Sequence, residues 1–402
     1  MSQGLVAAAK QRLPEMLVDL ERLITLETPS SDHAAVARGA ADIAALIDER
    51  LGMQVETLTV DGVTHLRLRF GDTDDSNGDK NKDVTNNIGH PVRVLVLAHQ
   101  DTVWPHGTLE RLPFSTEDGI LRGPGSFDML TGLVMAIHAA AMLQADGVEL
   151  AGLSLLVTGD EEVGSDTSRD LITTEVADLP SVLVLEATAP DGAVKVGRKG
   201  ASKFRVTVHG KASHAGLEPE AGINATVELA HQISIIAALG DDKTGTSVIP
   251  TTMAGGSSSN TVPATAYIDV DSRARTEAEQ HRVDEALRSL TPHHPEARIK
   301  VEGGIDRPPL QWESAMGLYA VLDKVCEGLG LPTPEGVEVG GASDGNITAG
   351  LGAPTLDGLG AVGAGAHADH EHAIIAEIPA RTAILAALIE RLLTSGAVGQ
   401  HG

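Results

Sequence analysis

The sequence predicts an α/β protein: a doubly wound mixed sheet that carries the chemistry, with an α+β domain of ferredoxin-like type inserted into it. Three observations predict this. The runs VRVLVLA (92–98), LSLLVT (153–158) and SVLVL (181–185) are short and almost wholly apolar, as strands buried on both faces are. They alternate with helical patterns, the signature of a doubly wound sheet. From about residue 200 the texture changes to half-exposed alternating strands and two helices, in the order β–α–β–β–α–β. At 402 residues the chain is too long for one ordinary core. The domains expected are 1–197 together with 309–402, and an insert over 198–308.

Taken in order, residues 5–27 read as an amphipathic helix with Pro14 inside it. Ser30, Ser31 and Asp32 offer N-cap oxygens to a second helix that ends near Leu51. Strands are expected over 54–60 and 65–70. The stretch 71–90 is rich in Asp, Asn and Gly and nearly devoid of large apolar residues, so it reads as a mobile surface insertion. The strand that begins at Val92 stops at His99-Gln100-Asp101. A Gly/Pro loop over 121–128 feeds an apolar helix over 129–144. The strand 153–158 ends in Gly159-Asp160-Glu161-Glu162, a helix over 167–175 follows, and the strand 181–185 ends in Glu186. In the insert, strands are expected over 203–208, 261–271 and 298–302, and helices over 222–239 and 277–290. The chain resumes with a helix over 314–329, a Gly-rich loop over 340–345, a strand over 355–359, a His-rich loop over 365–372 and a closing helix over 379–393.

Composition narrows the function. The 56 acidic and 30 basic residues give a net charge of -26, which argues against nucleic-acid and acidic-membrane partners. Aromatic residues make up only 2%, so Ala, Val, Leu and Ile must build the core. The single cysteine, Cys326, excludes an internal disulfide framework and a cysteine-rich zinc site. The N-terminal stretch mixes charges among its apolar residues and shows neither a signal-peptide core nor a membrane-spanning run. A cytoplasmic location is expected.

Polar residues stop the buried strands or open the helices behind them: His99, Asp101, Asp128, Glu161, Glu162, Glu186, and the cluster His367, Asp369, His370, Glu371 and His372. Open α/β sheets bind ligands at the carboxyl edge of their strands. Carboxylates converging there repel one another unless a cation neutralises them. Imidazoles and carboxylates without thiolates suit zinc, cobalt or manganese. A bridging carboxylate is the usual design for two metals that activate one water. Asp101, two residues beyond His99 in extended chain, is placed to accept the second ring N–H of His99. Of the adjacent Glu161 and Glu162, one can bind metal while the other takes a proton.

The motifs AHQDTV (98–103), GPGSFDMLTG (123–132), TGDEEVGS (158–165), LEAT (185–188), GKASHAG (210–216) and GAHADHEHAI (365–374) occur in order over nearly the whole chain. As a set, it resembles the zinc-dependent aminoacylase, acetylornithine deacetylase and succinyl-diaminopimelate desuccinylase family. The glutamate carboxypeptidase branch, of carboxypeptidase G type, is the most similar. The resemblance implies a two-metal amidohydrolase that cleaves an N-acyl amino acid or a C-terminal residue with metal-activated water. His99, Asp128 and Glu186 would bind one metal, and Asp128, Glu162 and His367 the other. Asp101 would orient His99, and Glu161 would serve as general base and then acid. His214, in the insert, would stabilise the tetrahedral oxyanion, commonly in the dimer partner's site. Asn260 and Arg273 match substrate-holding positions, Arg307 resembles an arginine near a glutamate side chain, and the loop around Gly341 would offer backbone N–H groups to a carboxylate. Two divalent ions, zinc first with cobalt or manganese as alternatives, and a homodimer formed through the insert are implied. Two features depart from the family: Met129-Leu130-Thr131-Gly132 follows the bridging aspartate, and His370 and His372 are additional. His367 is preferred as ligand because the family pattern is His, three residues, then Glu, and Glu371 fits it.

Other readings stay open on the residues. Within the same class, the enzyme would be an N-acyl amino acid deacylase or a dipeptidase with a non-acidic leaving residue. In another class, Gly341-Ala342-Ser343-Asp344-Gly345 matches a nucleophile elbow, with Asp357 or Asp369 and His372 following in the order a serine hydrolase needs. A non-catalytic metal- or peptide-binding module is the third.

Overall fold

The computed structural model describes residues 2–71, 91–178 and 180–395. The polar insertion expected over 71–90 lies, except for Gly71, outside the described residues. The chain divides into two compact units, residues 1–196, 312–339 and 343–402 in the first and 197–311 with 340–342 in the second.

The first unit is built on a six-stranded mixed sheet. Its spatial order is Glu56–Val60, Val63–Arg69, Leu153–Thr158, Val94–His99, Ser181–Val184, Thr355–Leu356. The first two strands form an antiparallel hairpin, and Val63–Arg69 pairs antiparallel with Leu153–Thr158. Asp61 and Gly62 both have positive φ, as a two-residue hairpin turn requires. The remaining pairings are parallel. Val94–His99 is hydrogen-bonded on both sides and every residue in it is buried, which is why the sequence is apolar without alternation. Truncating a fully buried residue such as Leu97 to Ala would cost about 2–5 kcal/mol.

Helices Ser2–Ile24, Thr131–Ala145 and Ile378–Ser395 pack against one another. The first runs through Pro14. The helix His33–Leu51 is capped by Asp32 alone of the three candidates, which accepts from the Ala34 and Ala35 N–H groups. Ser126–Ala145 is apolar and long enough to cross a membrane, but 94% of it is buried inside the unit, as befits a core helix. Gly132 is required there: a Cβ would sit 2.3 Å from the Leu185 carbonyl oxygen. That contact seats the helix start against the chain leading to Glu186.

Because Leu153–Thr158, Val94–His99 and Ser181–Val184 are parallel neighbours, their carboxyl ends lie side by side. The residues that follow, 100–101, 159–162 and 185–186, therefore emerge along one edge.

The second unit has a four-stranded antiparallel sheet, ordered Ser247–Gly255, Thr265–Ala274, Gly200–His209, Arg298–Arg307. Helices Ala225–Ala237 and Glu277–Arg288 contribute Leu229, Ile236, Val283 and Leu287 to a core with Phe204, Val206, Val208, Ile268 and Val270. The β–α–β–β–α–β order calls for a strand between helix Ala225–Ala237 and strand Thr265–Ala274, but the sequence marks no range for Ser247–Gly255. It is an edge strand, mostly exposed, with Pro250 beside a register shift, so it has little apolar alternation to announce it.

Candidate metal centre

His99 ends its strand with the ring turned by a hydrogen bond. Its Nδ1 lies 2.9 Å from the backbone carbonyl of Asp101, an acceptor, so Nδ1 carries the proton. The expected partner, the Asp101 carboxylate, is 3.6 Å away. The carbonyl therefore fixes the tautomer, and the carboxylate does other work. It accepts from Ser30 Oγ at 2.7 Å and from the backbone N–H groups of Glu161 and Glu162 at 3.2 and 3.3 Å. Asp101 thus pins the turn that presents both glutamates. Burial pushes its pKa up to about 6, against the pull of His99 and Ser30.

His99 Nε2 faces Asp128 Oδ1 at 3.5 Å and Glu186 Oε1 at 3.6 Å. His367 Nε2 lies 3.4 Å from Asp128 Oδ2 and 3.2 Å from Glu162. Two three-residue groups result, His99/Asp128/Glu186 and Asp128/Glu162/His367, each with its donor atoms within 4.8 Å of one another. Asp128 belongs to both. His367 adopts a left-handed backbone, with φ of 62°, uncommon for a residue with a side chain. His370 and His372 stand outside both groups, and the His372 Nδ1 turns to the His370 carbonyl.

The electrostatics are those of a cation site. Burial opposes a proton on His99, yet Asp128 and Glu186 outweigh it and, with Asp101 and Glu161 adding to the field, hold the pKa well above normal. Asp128 and Glu162 raise His367 to about 10. Burial works to raise Asp128, but His367 and His99 hold it far below the usual carboxylate range. His99 Nε2 and Asp128 Oδ1 are both buried without a hydrogen-bond partner, although polar atoms so placed are nearly always satisfied. Two imidazoles and three carboxylates, with Asp128 shared, suit two divalent metal ions.

A second layer holds this arrangement. Glu371 is fully buried and accepts from the backbone N–H groups of Gly125, Phe127 and Asp128 and from the Trp104 indole. Asp160, beside the glutamate pair, accepts from Thr167 N–H and Oγ1 and from Ser168 N–H. Met129 is buried with its sulfur 3.2 Å from the His99 backbone N.

The remaining expected residues lie in the second unit. His214 is exposed, and its Nδ1 accepts from Gly216 and Leu217 N–H at 3.1 Å each, which leaves Nε2 as the N–H donor. Asn260 is its neighbour: its carbonyl accepts from Ala215 N–H. Arg273 binds Asp271 along one edge of its guanidinium, Nε and Nη2 donating at 2.8 and 2.9 Å, which leaves the Nη1 end as the part it could offer a ligand. Arg307 is buried. The Gly341 carbonyl accepts from Arg198, a buried arginine that sequence reasoning passed over. Ser343, in the first unit, is fully buried. Its hydroxyl donates to Asp357 at 2.6 Å and caps the helix Asp344–Gly350 by accepting from Gly345 N–H. A hydroxyl so committed, with no imidazole partner among the described residues, is not the nucleophile of a serine hydrolase.

A family model described as peptidase family M20/M25/M40 matches residues 95–391. The chain belongs to this family. As an M20 protein it is a hydrolase of peptide or amide bonds, which removes the non-catalytic reading. It is 30% identical to carboxypeptidase G2 of Pseudomonas sp. (strain RS-16), over 96% of this chain and 91% of that one. It is 27% identical to succinyl-diaminopimelate desuccinylase of Dechloromonas aromatica (strain RCB), over 86% of this chain and 91% of that one. Among solved structures, an M20 family metallo-carboxypeptidase from Sulfolobus solfataricus matches with a TM-score of 0.71 at 15% identity, covering 94% of this chain and 99% of that one. This last likeness concerns the fold.

Proposed function

We propose that this M20 hydrolase is a two-zinc carboxypeptidase or aminoacylase-type enzyme that releases an amino acid with a free carboxylate, glutamate first, from an N-acyl or peptide substrate. The observation that carries the proposal is the pair of donor groups that share Asp128 and leave His99 Nε2 and Asp128 Oδ1 unpartnered. His99, Asp128 and Glu186 would hold one ion and Asp128, Glu162 and His367 the other. Bound there, the ions would polarise the scissile carbonyl and acidify a water. Glu161, whose backbone N–H is held by Asp101, is the residue that would take a proton from an attacking water and return it to the leaving amine. His214, with Nδ1 occupied, has Nε2–H as the donor it would offer to a developing oxyanion, commonly in the partner's site of the proposed dimer.

The second unit is proposed as a ferredoxin-like lid and dimerisation domain. Its strand order, fourth-first-third-second in chain order, supports the first part. The exposed edge strand Ser247–Gly255 and the exposed Val227, Ile235, Ile249 and Met253 support the second.

One observation favours the runner-up, a deacylase or dipeptidase with a non-acidic leaving residue: the Nε–Nη2 edge of Arg273 is already held by Asp271 and part of its charge is matched there. A single experiment tests both. The protein is stripped with chelator, reloaded with zinc, cobalt or manganese, and assayed on N-acyl amino acids and dipeptides with acidic and neutral leaving residues. Activity that vanishes with the metal and returns with zinc, greatest for glutamate, is the expected outcome. Activity surviving verified metal removal would overturn the proposal, and a preference for neutral leaving residues would transfer it to the runner-up.

A further inference from the structure

The turn that carries Asp128 is closed locally by Leu130 N–H on the Gly125 carbonyl and Thr131 Oγ1 on the Ser126 carbonyl, yet the N–H groups of Gly125, Phe127 and Asp128 itself point elsewhere. What receives them is a residue distant in sequence. Glu371 is wholly buried, and each of its carboxylate oxygens receives two N–H groups. Oε1 accepts from Phe127 and Asp128 at 2.9 and 3.0 Å; Oε2 accepts from Gly125 at 3.0 Å and from Trp104 Nε1 at 2.6 Å. Glu371 also belongs to the turn that carries His367. Its own N–H donates to the Ala368 carbonyl at 2.8 Å, and Ala368 N–H donates to Gly365 at 2.9 Å. The space is tight: a Cβ on Gly365, whose φ is 84°, would come within 2.9 Å of the Glu371 nitrogen.

We propose that Glu371 is a positioning residue that locks the Asp128 loop to the His367 turn, so that the shared ligand and the imidazole of the second donor group are set as one rigid piece, with Trp104 as its outer brace. The inference rests on the metal-binding role proposed above. It also explains why a carboxylate is needed. Four N–H groups converge on two oxygens, and only an ionised carboxyl is an acceptor at both. An amide would turn its own N–H₂ against two of the four donors. Outer partners of metal ligands typically contribute 10–100-fold to metal affinity, and Glu371 acts on two ligands at once.

The test measures zinc affinity of the full-length protein by competition with a chromophoric chelator, alongside the thermal midpoint of the metal-free protein. Glu371→Gln is expected to weaken zinc binding by about 10–100-fold and, because it leaves buried N–H groups without an acceptor, to lower the metal-free midpoint as well, with the KM at saturating zinc little changed. Excess zinc should recover most of the lost kcat. Trp104→Phe removes one donor of four and should weaken zinc less. The double variant should bind zinc no worse than Glu371→Gln, because both act through one carboxylate. Wild-type zinc affinity in Glu371→Gln would overturn the proposal. So would a loss that merely follows a fall in metal-free stability and resists added zinc. If Glu371→Gln does not fold, Trp104→Phe decides: unchanged zinc affinity there overturns it. Absence of zinc binding in the wild type would instead overturn the metal reading itself.

Discussion

Around Asp128 the ionisable groups are crowded, largely buried and left with orphaned atoms; on the sheet of the second unit they are exposed or half-exposed and matched. Asp271 grips Arg273, Asp269 grips Arg205, and Glu302 meets Lys300, each within one strand or between adjacent strands. Helix Glu277–Arg288 adds Glu279 with Arg282 and Asp284 with Arg288. Both regions are rich in carboxylates, so charge count does not distinguish them. Closure does. Pairs that satisfy each other in water have little left to offer a ligand and contribute little to stability. Carboxylates that face one another and two imidazoles in a buried cleft carry an unmet demand for positive charge. Unequal sign, burial and missing partners together mark the site.

The contrast can be broken at several points. The largest effect is expected from Asp128→Asn, which removes the carboxylate common to both candidate donor groups. Zinc content measured by mass spectrometry should fall from two ions per chain to below one, and turnover should vanish with it. Two tightly held ions in that variant would refute the sharing. Next is Glu161→Gln, where kcat should drop about 10²–10⁴-fold, the usual span for a positioned acid–base group, while zinc content stays at the wild-type level. Turnover near wild type would exclude Glu161 as the base. In the second unit the effects should be small. A double-mutant cycle on Arg273→Ala and Asp271→Ala should give a coupling of about 0.2–1 kcal/mol in unfolding free energy. A much larger value would mean that this pair is not merely a surface match.

The smallest effect sharpens the comparison through pH. Arg282, with Thr246 and Thr244, holds Glu279 down to about 2. A carboxyl depressed in the folded state stabilises it fully above its unfolded pKa of about 4.3 and loses that contribution as the pH falls towards 2. Unfolding midpoints should therefore decline between pH 5 and 2, and Glu279→Gln should flatten part of that decline. An unaltered slope in the variant would show that Glu279 does not contribute to it.

What could be read from sequence followed physical strength. The strands at the centre of the first sheet are buried on both faces and announce themselves by unbroken Val and Leu. Ser247–Gly255 lies at an edge, largely in water, and leaves almost no apolar trace. The same holds at the site. His99, Asp128, Glu162, Glu186 and His367 stand out because polar side chains end or follow apolar runs, and the structure brings all five together. Asp101 and Glu371 are visible too, but the contacts through which they hold these residues are not. Trp104 meets Glu371 across 267 positions of sequence, and Ser30 meets Asp101 across 71. Hydrogen bonds between loops have no period, so nothing local encodes them. Arg273 shows the converse. Its residue type suits a carboxylate ligand, but only coordinates reveal that a carboxylate from the same strand is already there.

The brace on Glu371 has an optical consequence. The chain has only two tryptophans. Trp312 is 40% exposed, whereas Trp104 is 7% exposed, with the guanidinium of Arg111 5.1 Å from the centre of its ring. The two indoles therefore sit in surroundings of different polarity, and one of them is hydrogen-bonded to Glu371, which also accepts from the Asp128 N–H. Replacing Trp312 by Phe would leave an emission that reports on that one spot, so the chain already contains a native fluorophore for following the filling of its centre in real time, without dye or substrate.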